Sequence, residues 1–210
     1  LFRSSSGETG ESVSKNSTKT LLNINAEDVN NFEKASDNTF FKDAVNHWAK
    51  EEIHFLMEKG IVLGSDEGNF YPDKNITRVE FAAMLSRALG QKNEKYENIF
   101  TDVASDDWYA EVVQNVYSNG IMSGFNESFR PNDFITREEM AKSIIKAYEL
   151  ITKNEVDTSE SQEYFDDEND MAEWAKNYVA KAVSLNLIKG TGDKLFKPAD
   201  FATRDRKSVV

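Results

Sequence analysis

The sequence predicts an all-α fold built from three copies of one helix-loop-helix unit, on three observations. The chain's three tryptophans and three prolines alternate: Trp48, Pro72, Trp108, Pro131, Trp174, Pro198. From Trp to Pro the gaps are 24, 23 and 24 residues, and each proline stands 6 residues before the arginine of a Thr-Arg pair (Arg78, Arg137, Arg204). Landmarks recurring in order at a fixed period mark a repeat. Apolar residues after the tryptophans fall at helical spacing. Finally, Thr77 with Glu80, and Thr136 with Glu139, form the capping-box pattern just before apolar runs.

Within each unit the first helix begins near the tryptophan, where short polar residues are expected to cap it. Ala49, Ile53 and Leu56 form its apolar stripe in the first copy, and Tyr109, Val112, Val113 and Val116 in the second. Twelve residues after each tryptophan comes Gly60, Gly120 or Asn186. These residue types tolerate the left-handed conformation that ends a helix. A second glycine follows four residues later (Gly64, Gly124, Gly190), then an aromatic and the proline, which biases the chain towards an extended path. The capping box then starts the second helix. Its apolar stripe is Phe81, Met84, Leu85 and Ala88 in the first copy, and Met140, Ile144, Tyr148 and Ile151 in the second. One unit has too little apolar surface to stand alone, so the three share a core.

These landmarks divide the chain into a linker and N-terminal extension (1–39) and three units at 40–91, 98–152 and 163–210. The polar stretches 91–98 and 152–163 read as connectors. Residues 1–19 have the Ser, Gly and Thr content of a flexible linker. The chain opens on Leu1 and is read as part of a longer precursor.

Net charge is −12 and the pI about 4.7, which argues against a general attraction to nucleic acid or to an anionic membrane surface. No apolar run approaches the roughly 18 residues of a membrane span. Without cysteine there is no disulfide framework, thiolate metal site or cysteine nucleophile.

With Phe41, Asp43, Trp48, Gly60, Gly64, Pro72 and the segment Ile76-Thr77-Arg78-Val79-Glu80 in place, the repeat resembles the S-layer homology domain. The resemblance covers about residues 40 to 210. It implies three repeats in a pseudo-threefold arrangement around a central helical bundle. It also implies a cell-wall anchoring module of a bacterium, Gram-positive and extracellular, whose inter-repeat grooves hold a secondary cell-wall polysaccharide bearing pyruvate ketals. No cofactor is expected.

The resemblance offers a use for an arginine in the first turn of a helix, where the macrodipole disfavours a cation. A guanidinium can grip a ketal carboxylate through two parallel hydrogen bonds, and free amides at the helix start would add donors. The expected ligand contacts are Arg78 and Arg137 to the acidic group, Trp48 and Trp108 to the sugar face, and Asp43 and Asp102 to its hydroxyls. Backbone near Gly64 and Gly124 would allow close approach. Asp167, Trp174, Gly190 and Arg204 are the counterparts in the third copy. On this view, replacing Arg78 and Arg137 by Lys weakens retention and leaves the fold intact.

The third copy departs from the pattern. It reads Thr203-Arg204-Asp205-Arg206, with an arginine where the capping glutamate belongs, and it ends at Val210. A helix that short is far below the roughly 12 residues needed for marginal stability alone. The third groove is therefore expected to be weaker than the first two, with Ala26 to Ala35 available to pack into the vacancy.

Other chemistry is disfavoured. His47 and His54 lack the i, i+4 spacing of a helical metal pair and read as surface residues. The run from Asp166 to Trp174 begins like a calcium loop, but Met171 and Asn177 replace its glycine and glutamate. A two-carboxylate glycosidase is disfavoured because the acids sit in caps and connectors. The alternative function is a protein-protein self-assembly module of a surface layer, using exposed apolar patches.

Overall fold

The computed structural model describes residues 40–65, 67–90, 94–157 and 165–205. The expected N-terminal linker, the segment from Ala26 to Ala35, and the chain from Arg206 onward lie outside the described residues.

Among the described residues there are five α-helices and no strand: α1 Lys50–Glu58, α2 Arg78–Ala88, α3 Ala110–Ser118, α4 Arg137–Thr152 and α5 Glu173–Ser184. Both capping boxes form. Glu80 N–H donates to Thr77 Oγ1 at 3.2 Å while Thr77 N–H donates to Glu80 Oε2 at 2.9 Å, and Thr136 with Glu139 repeats the exchange. The polar caps expected on the first helices do not form. α1, α3 and α5 are entered from Ala49, Tyr109 and Ala172 without a side-chain cap. Preceding turns satisfy the first amides instead: Lys50 N–H reaches His47 O at 3.1 Å and Ala110 N–H reaches Asp107 O at 3.0 Å.

The same three helices end as expected. Gly60, Gly120 and Asn186 have φ of 67°, 66° and 55°. The following amides of Ile61, Ile121 and Leu187 bond back to Leu56, Val116 and Ala182 at 2.8–2.9 Å, the 6→1 bond of a Schellman motif.

Tertiary order comes from packing across repeats: α2 lies against α3, and α4 against α5. The closure itself is made by backbone. Ile76 N–H donates to Ala202 O (2.9 Å), Ala202 N–H to Ile135 O (3.0 Å) and Ile135 N–H to Ile76 O (3.1 Å), a closed triangle with one residue from each repeat. All three residues are fully buried. Around this triangle every repeat contacts both others.

Each repeat also carries a pair of phenylalanines in contact: Phe41 with Phe70, Phe100 with Phe129, and Phe165 with Phe196, at centroid distances of 5.4, 5.5 and 5.4 Å, all buried except Phe165, which is partly buried. The glycine four residues after each helix-ending position exists for this pair. A Cβ at Gly64, Gly124 or Gly190 would lie 2.3, 2.4 or 2.8 Å from the first ring of its repeat.

Two sequence expectations need correction. His54 is buried against Phe40, with ring centroids 4.1 Å apart, because α1 turns that face inward. The connector after α2 is partly core: Tyr96 is buried and its hydroxyl accepts from Phe100 N–H at 2.8 Å.

Candidate functional site

The three repeat arginines sit at the junctions between repeats. Arg78 donates through Nε to Phe129 O, through Nη2 to Ser123 O and through Nη1 to Glu139 Oε1, each at 2.9 Å. Arg137 donates to Phe196 O at 2.8 Å and to Lys189 O at 2.9 Å. Arg204 donates to Phe70 O at 2.8 Å and, more loosely, to Leu63 O and Glu80 Oε1 at 3.3 Å each. Each guanidinium also stacks on the Phe ring it bonds beside, 4.7–5.1 Å from its centroid. The order is cyclic: the first repeat grips the second, the second the third, and the third the first.

This corrects two expectations. Arg78 and Arg137 are buried and directed at the neighbouring loop, not open to a ligand. The amides at the helix starts are not free either. Arg78 N–H and Val79 N–H bond Asp133 O and Pro131 O, while Arg137 N–H and Glu138 N–H bond Asp200 O and Pro198 O. An arginine suits the first helical turn here because its fork and those amides together receive the carbonyls of one adjoining loop. Burial lowers the pKa of Arg78 and Arg204 from the ordinary arginine value, with nearby Glu139 and Glu80 opposing it.

The predicted aspartates also act on backbone. Asp43 accepts from Phe70 N–H (2.8 Å) and Tyr71 N–H (2.6 Å), Asp102 from Phe129 N–H (2.8 Å) and Arg130 N–H (2.7 Å), and Asp167 from Phe196 N–H (2.9 Å) and Lys197 N–H (2.6 Å). The second residue of each pair precedes the proline and has φ of 57°, 60° or 57°, so the expected extended approach is replaced by a left-handed one. That conformation costs a non-glycine residue roughly 1–2 kcal/mol. Two consecutive amides converging on one carboxylate compensate for it. The clamp sets the carbonyls that the arginine of the neighbouring repeat binds.

The predicted tryptophans are exposed: Trp48 63%, Trp108 66% and Trp174 46%. Trp108 overhangs a recess of about 310 Å³ whose lining comes from all three repeats. The first repeat supplies the loop around Gly64, with Tyr71 and Lys74, and the α2 face of Glu80, Ala83, Met84 and Arg87; the third supplies Arg204. Gly64, Trp108 and Arg204 are thus brought together. Arg78, Asp102, Gly124 and Trp174 gather at the next junction. Trp48 lies at the third, where its Nε1–H donates to Asp205 Oδ2 at 3.1 Å.

Lys74 and Arg87 were not singled out from the sequence. Among the described residues neither has a carboxylate partner; Arg87 donates to Ile61 O at 3.2 Å, and burial lowers its pKa. The available signal was a cation nine residues after the Thr-Arg arginine, present as Arg87 and Lys146. The recess is therefore locally cationic on a chain of net charge −12.

Among the described residues, one cluster brings metal-ligating side chains together. His47 Nε2 lies 3.5 Å from Asp73 Oδ1 and 3.7 Å from Asp205 Oδ2. However, Ala49 N–H donates to His47 Nδ1 at 3.2 Å, so the neutral ring carries its proton on Nε2, the atom facing the carboxylates. A metal-ligating histidine has the reverse arrangement, with its outer nitrogen donating. The cluster is a polar contact between His47 and Asp73 of the first repeat and Asp205 of the third.

Comparison with known proteins agrees with this architecture. The family model for the S-layer homology domain matches residues 40–82, 99–141 and 164–205. The chain is 38% identical over 170 residues to Exoglucanase XynX of Acetivibrio thermocellus, 81% of this chain and 16% of that protein. It is 36% identical over 170 residues to the Surface-layer 125 kDa protein of Lysinibacillus sphaericus (79% and 14%), and 32% identical over 160 residues to the S-layer protein sap of Bacillus anthracis (76% and 19%). It spans less than a fifth of the length of each of these three relatives. Three matched segments, joined by an arginine contact at every junction, make the chain a member of the S-layer homology domain family.

Proposed function

We propose that this chain anchors a surface protein to a bacterial cell wall, outside the membrane, by binding an anionic wall polysaccharide in the recess beneath Trp108. The single observation that carries this reading is the pairing of an exposed indole face with two cations, Lys74 and Arg87, that have no carboxylate partner among the described residues. An indole packs well on the apolar face of a sugar ring. Lys74, Arg87 and the outer edge of Arg204 would receive a carboxylate, such as that of a pyruvate ketal, while Glu80 would accept from a hydroxyl. At about 310 Å³ the recess lies near the lower end of small-ligand sites, roughly 300–1,000 Å³. Relatives that include an exoglucanase and surface-layer proteins share this region of about 170 residues. That distribution suits an attachment module more than a catalytic one.

The test is co-sedimentation with protein-stripped cell walls. The chain should pellet with them, and Trp108→Ala or the pair Lys74→Ala and Arg87→Ala should reduce this at least tenfold with melting temperature preserved. Unchanged pelleting by both variants would refute the site.

A second reading, self-assembly within a surface layer, has one observation behind it: Phe134 and Phe201 are exposed and in contact, their rings tilted at 57° with centroids 5.4 Å apart. It predicts binding to intact surface layers and none to stripped walls.

A further inference from the structure

The residue that ends the first helix of each repeat is preceded by Lys59, Asn119 or Leu185. Only the second repeat sets asparagine before glycine there, and Asn119-Gly120 is the single Asn-Gly step in the sequence. Asparagine is among the thermolabile side chains. It is most reactive before glycine, which has no Cβ to obstruct attack of its nitrogen on the preceding side-chain amide. Both residues are exposed, so water reaches them.

The turn nevertheless holds the reacting atoms apart. Ring closure needs the Gly120 nitrogen to lie alongside Asn119 Cβ, and the Asn119 ψ of 5° keeps it on the other side. The Gly120 N–H, whose proton must leave, donates to Tyr117 O at 2.9 Å. The Asn119 side chain is pinned as well, with Nδ2 donating to Asn115 O at 2.8 Å. The next two amides, of Ile121 and Met122, both bond back to Val116 O, at 2.9 and 3.1 Å, and their side chains are buried. Ser123 follows, and its carbonyl receives Arg78 Nη2 at 2.9 Å across the junction between the first two repeats.

We infer that Asn119-Gly120 is a site of spontaneous deamidation gated by opening of the α3 terminus, and that its products loosen the junction made by Arg78. In the opened turn the Gly120 nitrogen attacks Asn119 Cγ and expels ammonia, its own proton passing through solvent to the departing nitrogen. The product is a five-membered imide. Water then opens the imide at either carbonyl, giving aspartate or isoaspartate. Isoaspartate routes the main chain through Cβ and Cγ, which inserts an atom before Gly120 and displaces both bonds to Val116 O. Aspartate sets a carboxylate against Asn115 O, at the negative end of the helix dipole. Either product unseats Ile121 and Met122, and Ser123 O moves off the guanidinium with them. None of this depends on what the recess beneath Trp108 holds.

The full chain is incubated in mildly alkaline buffer, natively and in urea, and the peptide containing Asn119 is followed by mass mapping. Conversion should be at least roughly tenfold slower in the native chain than in urea, and Asn119→Gln should abolish it. Arg78→Lys, which frees Ser123 O, should speed native conversion several-fold, while Arg137→Lys at the next junction should not. The converted chain, separated by its added negative charge, should unfold at lower urea and exchange the amides of Ile121 to Ser123 faster. No conversion at Asn119 in urea, equal native and urea rates, or no greater acceleration by Arg78→Lys than by Arg137→Lys would each overturn the inference. So would a converted chain with an unchanged midpoint and unchanged exchange at those amides.

Discussion

Arg204 donates from Nε to the main-chain carbonyl of Phe70, 134 residues earlier, at 2.8 Å, and stacks over the ring of the same residue at 4.7 Å. The contact ties the last repeat to the first, and its equivalents in Arg78 and Arg137 tie the other pairs. A residue type that disagrees with the local helix dipole is thus explained by the assembly of repeats.

Arg137→Lys should destabilise the fold, contrary to the expectation that lysine is tolerated there. A lysine carries one compact ammonium and cannot reach Phe196 O and Lys189 O together from a fixed fork. A buried carbonyl would lose its donor, at a cost of about 3 kcal/mol. Urea denaturation should show a lower midpoint with an unchanged slope. A midpoint within error of the native chain would mean that the guanidinium does not secure the junction.

The clamp on the pre-proline residue gives a second prediction. Asp102→Asn keeps the shape but leaves one acceptor oxygen and turns an amide towards an N–H. Either the Phe129 or the Arg130 amide then goes unsatisfied, while Arg130 keeps its φ of 60°. The expected loss is about 2 kcal/mol. Hydrogen exchange localises it, since the amides of Phe129 and Arg130 should exchange faster than the core of α4; uniform acceleration across the chain would contradict a local clamp.

Much of this fold was legible in the sequence because its signals are short-range. A capping box spans four residues and a Schellman glycine ends the helix beside it, so Thr77 with Glu80 and Gly60 act where they stand. The site was less legible because its parts come from different repeats. Nothing local indicates that Arg78 faces Phe129 and Ser123, or that the recess below Trp108 is completed by Arg204 from the repeat expected to contribute least. Asp43 was placed among ligand contacts because an aspartate 27 residues from its amide partner has no local signature. The reversal at Tyr71, Arg130 and Lys197 likewise opposes the local preference of a residue before proline, and it holds only because a distant carboxylate binds both amides.

Glycine substitutions separate close packing from backbone conformation. A Cβ at Gly124 would lie 2.4 Å from Ser128 O and from the Phe100 ring, and the carbonyl is fixed by the loop. Gly120 has φ of 66° and nothing within 4 Å of the added atom. Gly120→Ala should therefore cost only about 1 kcal/mol of left-handed strain, whereas Gly124→Ala should cost about 2–3 kcal/mol by overpacking. Thermal melts of the two variants decide it, and equal losses would show that the loop moves aside.

Glu149 supplies a pH-dependent prediction. Burial acts to raise its pKa, but hydrogen bonds and charge from Lys181 and Lys146 outweigh that and leave it below the ordinary carboxylate value. Lys181 Nζ, on α5, meets Glu149 Oε1, on α4, at 2.8 Å, and the lysine side chain is almost wholly buried. For a carboxylate lowered in the folded state, the stabilisation is complete above the ordinary value, about 4.3, and is lost as pH falls through the lower folded value. Glu149→Gln leaves the buried ammonium with only the exposed Glu155, 3.7 Å away, and should cost about 2 kcal/mol at pH 7. As pH falls through that lower folded value and the native carboxylate is protonated too, the difference between the two should shrink. Urea midpoints measured in parallel at pH 7 and pH 3 test this directly: a difference that stays constant would mean that the α4–α5 contact depends on the shape of the side chain and not on its charge.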